Sequence, residues 1–389
     1  MGDVIVRCGS GAHWVRIDPA KFWQAARCPV CRAPVDRSRA GRVARRLLVL
    51  AMPKGTDVRR ITPVLALVLL GWVALLGICV LTVALWTLGD RWWPATVLLF
   101  GPRWLVVPPV AVLALLSAAL SPRALIPLVA ALAVAIGPFL GFRMGWRALL
   151  PAGSDERVVR VVTYNVQGGE RVGPRLRELI EVTHPDVVAI QECARPLHAT
   201  LRALEGWELA PRRRGTLCLL SRFPVESADT LSTWWLDDRL GGSGDLVKYV
   251  LRTPAGPLTL VNLHLETPRR GLAPLRRGRG TSRAETNSQV REIGSERARA
   301  WLRDVEGPLV VAGDFNMPVE SRVYARHWGD LENAFSTAGI GFGWTRLMVR
   351  FQVRIDHVLA AGGAHAVRAG VGPDLGSDHL PVVAAIRMP

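Results

Sequence analysis

Gly313-Asp314-Phe315-Asn316 closes the apolar run Leu309-Val310-Val311-Ala312, late in a chain of 389 residues. A short, bounded apolar run of this kind reads as a buried strand. If its alternation continues, Asp314 and Asn316 point the same way from the strand end. Asp and Asn also favour turns, so the tetrapeptide alone decides nothing. Its companions carry the reading. Downstream lie Arg354-Ile355-Asp356-His357 and Gly376-Ser377-Asp378-His379-Leu380-Pro381-Val382. Upstream lie Tyr164-Asn165-Val166-Gln167-Gly168, Ile190-Gln191-Glu192 and Asn262-Leu263-His264-Leu265-Glu266. Together these fragments set imidazoles, carboxylates and amides at the ends of short apolar runs. Hard oxygen donors beside imidazoles suit a site that holds a divalent ion and hydrolyses a phosphate ester.

Six such fragments in this order resemble the endonuclease/exonuclease/phosphatase superfamily, of bacterial membrane-anchored type, over about Arg157 to Met388. The resemblance implies a DNase-I-like α/β fold, a four-layer α/β/β/α sandwich of two stacked sheets with helices outside. It implies Mg²⁺ or Mn²⁺ as the cofactor. Glu192 is then the principal metal ligand, supported by Asn165 and assisted by Asp378. Some relatives carry an acid two residues after that Asn; Gln167 stands there here, which thins the anionic shell. Asp314 would orient or deprotonate the attacking water, and Asn316 would donate to the phosphate. Asp356 and His379 would form a carboxylate–imidazole pair, with His379 either a cation facing the transition state or a neutral general base. His264 would donate to the scissile phosphate. His357 would face away if its strand is regular. Two branches fit poorly. Inositol-polyphosphate phosphatases carry Cys-Asp-Arg, and abasic-site endonucleases Leu-Asp-Tyr, where this chain has Arg354-Ile355-Asp356-His357-Val358.

Around these motifs, residues 151–389 read as a soluble α/β catalytic domain. Strand-like runs are Val158–Val166, Asp186–Glu192, Thr216–Ser221, Leu258–Leu265, Leu309–Phe315, Ile355–Ala360 and Val382–Ile386. Helical stretches are Pro174–Thr183 and Ser288–Val305. Several strands are continuously apolar, which implies sheets covered on both faces.

The N-terminal part is different. The net charge is +17, of which residues 1–60 carry +9 and residues 151–389 only +4. The excess therefore sits mostly ahead of an apolar stretch, and whole-chain basicity is poor support for nucleic-acid binding. Residues 61–150 read as a membrane region of about three helices. Pro63 to Leu88 carries no charge and exceeds the ~20 residues that cross a bilayer. Further apolar runs span Trp104 to Leu120 and Ala124 to Phe142. The second contains Pro108-Pro109 and is open to a re-entrant reading. Residues 37–60 form a basic linker, expected to stay cytoplasmic and to meet anionic lipid heads. Three crossings put the catalytic domain outside the cytoplasm, with the protein integral to the inner or plasma membrane; two crossings return it to the cytosol.

Residues 1–36 hold Cys8, His13, Cys28 and Cys31, spaced for a small zinc-binding module of Cys₃His type. A redox pair or unrelated thiols are the alternatives. Cys193 and Cys218 are most simply buried thiols, or a disulfide if their domain is exported. The segment 268–283 has no acid and contains Arg269, Arg270, Arg276 and Arg277. It reads either as a substrate-binding clamp for polyanions or as a solvated loop. The partners expected are a lipid bilayer and a phosphate-ester substrate. The leading expectation is a membrane-anchored, divalent-metal-dependent phosphodiesterase acting on nucleic acid. The alternatives are a phospholipid or sphingomyelin-type phosphodiesterase and a non-catalytic receptor or scaffold.

Overall fold

A computed structural model describes residues 4–8, 14–17, 35–36, 61–120, 124–150, 157–169, 172–210, 216–232, 244–275, 280–348 and 351–389. They fall into two compact units. One comprises Met1–Thr82 and Trp104–Phe139, the other Val83–Arg103 and Leu140–Pro389.

In the first unit, β1 (Val4–Cys8), β2 (Trp14–Ile17) and β3 (Val35–Asp36) form a small antiparallel sheet in the order β2-β1-β3. Cys8 ends β1; His13, Cys28, Cys31 and the basic linker lie outside the described residues. The longest apolar run is one helix, Ile61–Leu88. The second folds as the helix Val107–Leu120, with Pro108 and Pro109 in its first turn. A proline there forfeits no helical hydrogen bond, so the run continues unbroken. The third is the helix Leu125–Val134, followed by a π-helical turn, Ala135–Phe139. Ile78, Val110, Leu128 and Ala131 pack against one another. Val73, Leu76 and Leu115 face outward, 66%, 66% and 73% exposed. Among the described residues, two helices, Val64–Leu88 and Arg103–Leu120, are long and apolar enough to cross a membrane.

The second unit is built on strands. A short pair joins β4 (Arg143–Met144) to β14 (Ile340–Gly341). The main strands are β5 (Val158–Asn165), β6 (Val187–Gln191), β7 (Glu208–Leu209), β8 (Cys218–Ser221), β9 (Val225–Ser232), β10 (Asp245–Thr253), β11 (Gly256–His264) and β12 (Leu309–Asp314). They continue with β13 (Glu332–Asn333), β17 (Asp356–Ala361), β18 (His365–Val371) and β19 (Val382–Arg387). A hairpin, β15 (Arg346–Met348) and β16 (Phe351–Val353), stands apart. One six-stranded sheet runs β18-β19-β5-β6-β8-β7, the other β13-β17-β12-β11-β10-β9.

The two sheets face each other across one apolar core, with Val161, Ala189 and Leu219 from one meeting Leu260, Val310 and Val358 from the other. Outside the second sheet, Val311, Phe315 and Leu359 pack with Ala298 and Trp328. Ala298 lies on the helix Thr281–Trp301. Outside the first sheet, Val162 and Val188 pack with Leu176, Leu179 and Leu197, from the helices Gly173–Thr183 and Arg195–Arg202. The result is a four-layer α/β/β/α sandwich. Asn262 pins the sheets together. Its amide donates to the carbonyls of Ile190 (3.1 Å) and Cys218 (2.9 Å), and its oxygen accepts from Gln191 (2.7 Å).

Two local departures matter for the site. Cys193 and Cys218 are not free thiols but a disulfide, with Cα atoms 5.9 Å apart. The cause lies in the backbone: past β6 the chain turns at Glu192, and the Cys193 N–H donates to Thr216 O (2.7 Å), which lays Cys193 beside β8. The alternation expected through Asp314 and Asn316 also stops early, because β12 ends at Asp314 and Asn316 adopts φ 53°.

Residues 83–103 are part of this second unit. Arg291 on the helix Thr281–Trp301 bonds Asp90 at 2.7 Å, both side chains being at most 2% exposed. Ser321 adds a 2.5 Å bond to the other Asp90 oxygen.

Candidate active site

Strand register assembles the centre. In the second sheet His264 ends β11 directly beside Asp314 at the end of parallel β12. Asp314 in turn lies opposite Asp356, the first residue of antiparallel β17. In the first sheet Asn165 and Gln191 are partners at the ends of parallel β5 and β6, and Glu192 follows. The close stacking of the sheets brings these two sets of strand ends together. Within the second sheet Gly313 permits the close pairing of β11 and β12: a Cβ there would stand 2.0 Å from the carbonyl oxygen of its register partner Leu263.

Asp314 sits at the middle, 1% exposed. Its Oδ1 accepts from the Asn316 N–H (2.8 Å). Its Oδ2 accepts from the Asn165 amide (3.0 Å) and lies 3.5 Å from His264 Nε2 and 3.7 Å from His379 Nε2. Burial, and then the charge of Asp356, raises the Asp314 carboxyl above its ordinary value, against the pull of His379 and His264. His379 Nδ1 is held by both oxygens of Asp356, at 2.8 and 3.1 Å. Burial works against its charged form, but Asp356 and Asp314 together outweigh that and push His379 up to about 9, with Arg346 opposing them. Asp356 is itself fixed by its backbone, whose N–H donates to Thr345 Oγ1 (3.1 Å).

Glu192 is the open carboxylate, its side chain 41% exposed. Its Oε1 accepts from the Asn165 amide (3.1 Å) and lies 4.0 Å from His264 Nε2. The Asn165 oxygen accepts from the Gln167 N–H (3.1 Å). Glu192, Gln167 and Asn316 all sit at positive φ, 52°, 47° and 53°. Such backbone in bulky residues costs about 1–3 kcal/mol each and collects at functional sites.

The residues named from sequence divide cleanly. Asn165, Glu192, His264, Asp314, Asp356 and His379 converge. Asn316 adjoins them, but its amide donates to Leu265 O (2.8 Å) and so braces the loop. Asp378 turns to cations, contacting Arg346 and lying 3.7 Å from Arg269 and 3.8 Å from His379 Nε2. Arg270 faces Glu266 at 3.8 Å; Arg276 and Arg277 lie outside the described residues. His357 is buried away from the centre, donating from Nε2 to Met317 O (2.9 Å) and accepting at Nδ1 from Asn333 (3.2 Å). The sequence reading missed Arg346, which contacts both His379 and Asp378, and Ser377, whose hydroxyl donates to Asn165 O (2.8 Å). Arg346 belongs to no motif; only the pairing of its strand with His379 brings it in.

The donor set suits a hard divalent cation. Glu192, Asp314, Asp356 and Asp378 concentrate carboxylates around a few imidazoles and amides, and among the described residues no thiol takes part. Asp314, Asp356 and His379 bring one ligand atom each within 4.8 Å of one another. Such oxygen-rich clusters match Mg²⁺ or Mn²⁺ better than softer metals.

A sequence profile of the endonuclease/exonuclease/phosphatase family matches residues 162–379, more than half of the chain and all of the converging motifs. The chain belongs to that family. Its members hydrolyse phosphate esters, so the chain is a hydrolase of that class. Among solved structures, the endonuclease/exonuclease/phosphatase from Bacteroides vulgatus is similar at 19% identity, covering 60% of this chain and 99% of that one, with a TM-score of 0.47. A humanized D. rerio TDP2 matches at 14% identity over 60% of this chain and 100% of its own, TM-score 0.47. The 3'-5' exonuclease NExo from Neisseria meningitidis matches at 18% identity over 58% and 98%, TM-score 0.44. No curated protein matches the chain.

Proposed function

We propose that this family member is a membrane-anchored, divalent-metal-dependent phosphodiesterase. One observation carries the reading: the ends of the strands in two stacked sheets gather Asn165, Glu192, His264, Asp314 and the Asp356–His379 pair within hydrogen-bond and ion-pair distances of one another. Glu192 and Asn165 would hold the ion, with Asp314 within reach. When bound, the ion supplies Lewis-acid stabilisation of charge on the phosphate.

The chain's own groups supply the rest. Asp314 has one oxygen fixed by the Asn316 N–H and the other held by the Asn165 amide, near His264 and His379; it would orient the attacking water and take its proton. His379, held at Nδ1 by Asp356, meets Arg346 at Nε2 and lies near Asp314; with Arg346 it would offset the negative charge that grows on the phosphoryl oxygens. His264 donates to a phosphate oxygen from the other side. Arg346, beside His379 and Asp378, adds a fixed cation that fits a phosphate oxygen.

The anchoring reading rests on the two long apolar helices and on their outward-facing aliphatic side chains. The Asp90–Arg291 bond supports a topology. Residues 89–102, between those helices, share a unit with the catalytic residues and so lie on their side of the membrane. The helices Val107–Leu120 and Leu125–Val134 must then both cross or both turn back. On either reading the number of crossings between the basic N-terminal segment and the catalytic residues would be odd. With the N-terminus cytoplasmic by its charge, the catalytic unit is extracytoplasmic. The Cys193–Cys218 disulfide fits that oxidising side. The zinc module stays a proposal on spacing alone, tested by metal analysis of the intact chain with Cys28→Ser and Cys31→Ser controls.

The deciding experiment is hydrolysis of bis-p-nitrophenyl phosphate by the full chain in lipid nanodiscs. Turnover with Mg²⁺ or Mn²⁺ that EDTA abolishes supports the reading. Turnover unchanged by EDTA refutes the metal, and no turnover with any divalent ion refutes the phosphodiesterase.

A further inference from the structure

Beside the catalytic centre lies a cavity of about 430 Å³, within the usual range for small-molecule sites. Asn316, Arg269, Arg346 and Thr267 supply its polar side chains. Arg346 contacts His379 and Asp378, and Arg269 lies 3.7 Å from Asp378, so the cations of the lining adjoin the catalytic groups. The rest of the lining is mostly apolar. Trp93, Val97 and Phe100 form one wall, on the helix Trp93–Phe100, and Leu272 and Leu275 form another. Val353 and Ile355 make the floor and are 5% and 2% exposed.

We infer that this cavity holds the hydrocarbon part of an amphiphilic phosphate ester whose phosphate sits at His379 and Arg346. The inference rests on the phosphodiesterase reading and adds the substrate class to it. Three observations favour this occupant. The cations of the lining adjoin the catalytic groups and match an anionic phosphate. The lining is otherwise mostly aliphatic and aromatic, Thr267 and the Trp93 indole N–H being its further polar groups. A nucleobase has more polar edge than these can meet, and each unmet group costs about 1–3 kcal/mol; a hydrocarbon chain has none. The wall helix also begins at Trp93, just after an apolar helix long enough to cross a membrane ends at Leu88. A chain anchored in this way meets amphiphiles first. The reaction remains hydrolysis: water's oxygen bonds phosphorus, one ester P–O bond breaks, and the departing alkoxide leaves with a proton.

The test compares methyl and octyl p-nitrophenyl phosphate, which share the leaving group and differ only in chain length. The full chain is assayed in nanodiscs, beside a single-stranded oligonucleotide. The octyl ester is expected to have kcat/KM at least about tenfold higher, a modest share of what burial of its added methylenes can supply. Val97→Gln or Leu272→Gln is expected to collapse the ratio toward that of equal substrates. Simple partitioning of the octyl ester into the bilayer predicts a preference that survives both variants, and that result overturns the inference. Equal rates on both esters, or faster cleavage of the oligonucleotide than of the octyl ester, also overturn it while leaving the phosphodiesterase standing. Failure on every ester removes that broader reading instead. Val97 is 41% exposed, so its polar variant is expected to fold.

Discussion

At the scale of single residues, the site is a set of side chains whose freedom has been removed. Asp314 has both oxygens engaged, and His379 is clamped at Nδ1 by Asp356. Glu192 alone is open, which suits an ion that must exchange water and substrate. Glu192→Gln keeps the shape and removes the charge; the Mg²⁺ concentration for half-maximal activity should rise at least about tenfold, in line with the loss seen when metal-site groups are altered. An unchanged metal titration would move the ion away from Glu192. His357 gives a separate, structural prediction. Burial, and then the charge of Arg354, lowers it to about 3, below the ~6.5 of an unfolded chain. The unfolded state therefore binds the proton first as pH falls. The stability this histidine contributes is present above about 6.5 and is lost on acidification toward 3, by up to ~1.4 kcal/mol per pH unit. Urea unfolding between pH 7 and 5 should show that slope in the wild type and a smaller one in His357→Gln.

At the scale of elements, the interior strands were legible and the outer ones were not. β5, β6, β11, β12 and β17 are predominantly apolar runs with polar residues at one end, and their expected bounds lie within about two residues of the observed ones. β9 and β18 escaped because edge strands bury little: Glu226, Asp229 and Arg368 interrupt any apolar pattern. β10 is the exception among the interior strands: it pairs on both sides, between β11 and β9, yet is not evident from sequence. Lys248 and Arg252 face outward between buried neighbours, which breaks the run. The helix Thr281–Trp301 was placed too late, since its first two turns carry mostly polar residues. The site motifs were legible because functional groups at strand ends follow the apolar runs in sequence. Arg346 and the cavity wall at Trp93 were not, for their place depends on tertiary packing. The Asp90–Arg291 bond belongs to this scale as well. Breaking a buried pair by removing one partner costs about 3–5 kcal/mol, whereas replacing both with apolar residues is near neutral. Asp90→Ala should lower the unfolding temperature of the full chain markedly, and Asp90→Leu with Arg291→Met should recover most of it. If Asp90→Ala unfolds like the wild type, residues 83–103 are not held to the catalytic unit, and the parity argument for topology fails with it.

At the scale of the whole molecule, the proposed topology puts the catalytic unit outside the cytoplasm. Alkaline phosphatase fused after Gly153 should be active and a fluorescent protein fused there dark. The opposite pair of results would put the catalytic unit in the cytosol, where the Cys193–Cys218 disulfide would be hard to maintain. The central claim is narrower than topology or substrate. It is that the groups at the facing sheet ends perform hydrolysis. The most direct measurement is kcat/KM for bis-p-nitrophenyl phosphate in the wild type, His379→Ala and Asp314→Ala, with thermal unfolding of each recorded. The account predicts losses of about 10²-fold or more in both variants, typical for a group that stabilises transition-state charge, with the chain still folded. Folded variants that retain the wild-type rate would contradict it.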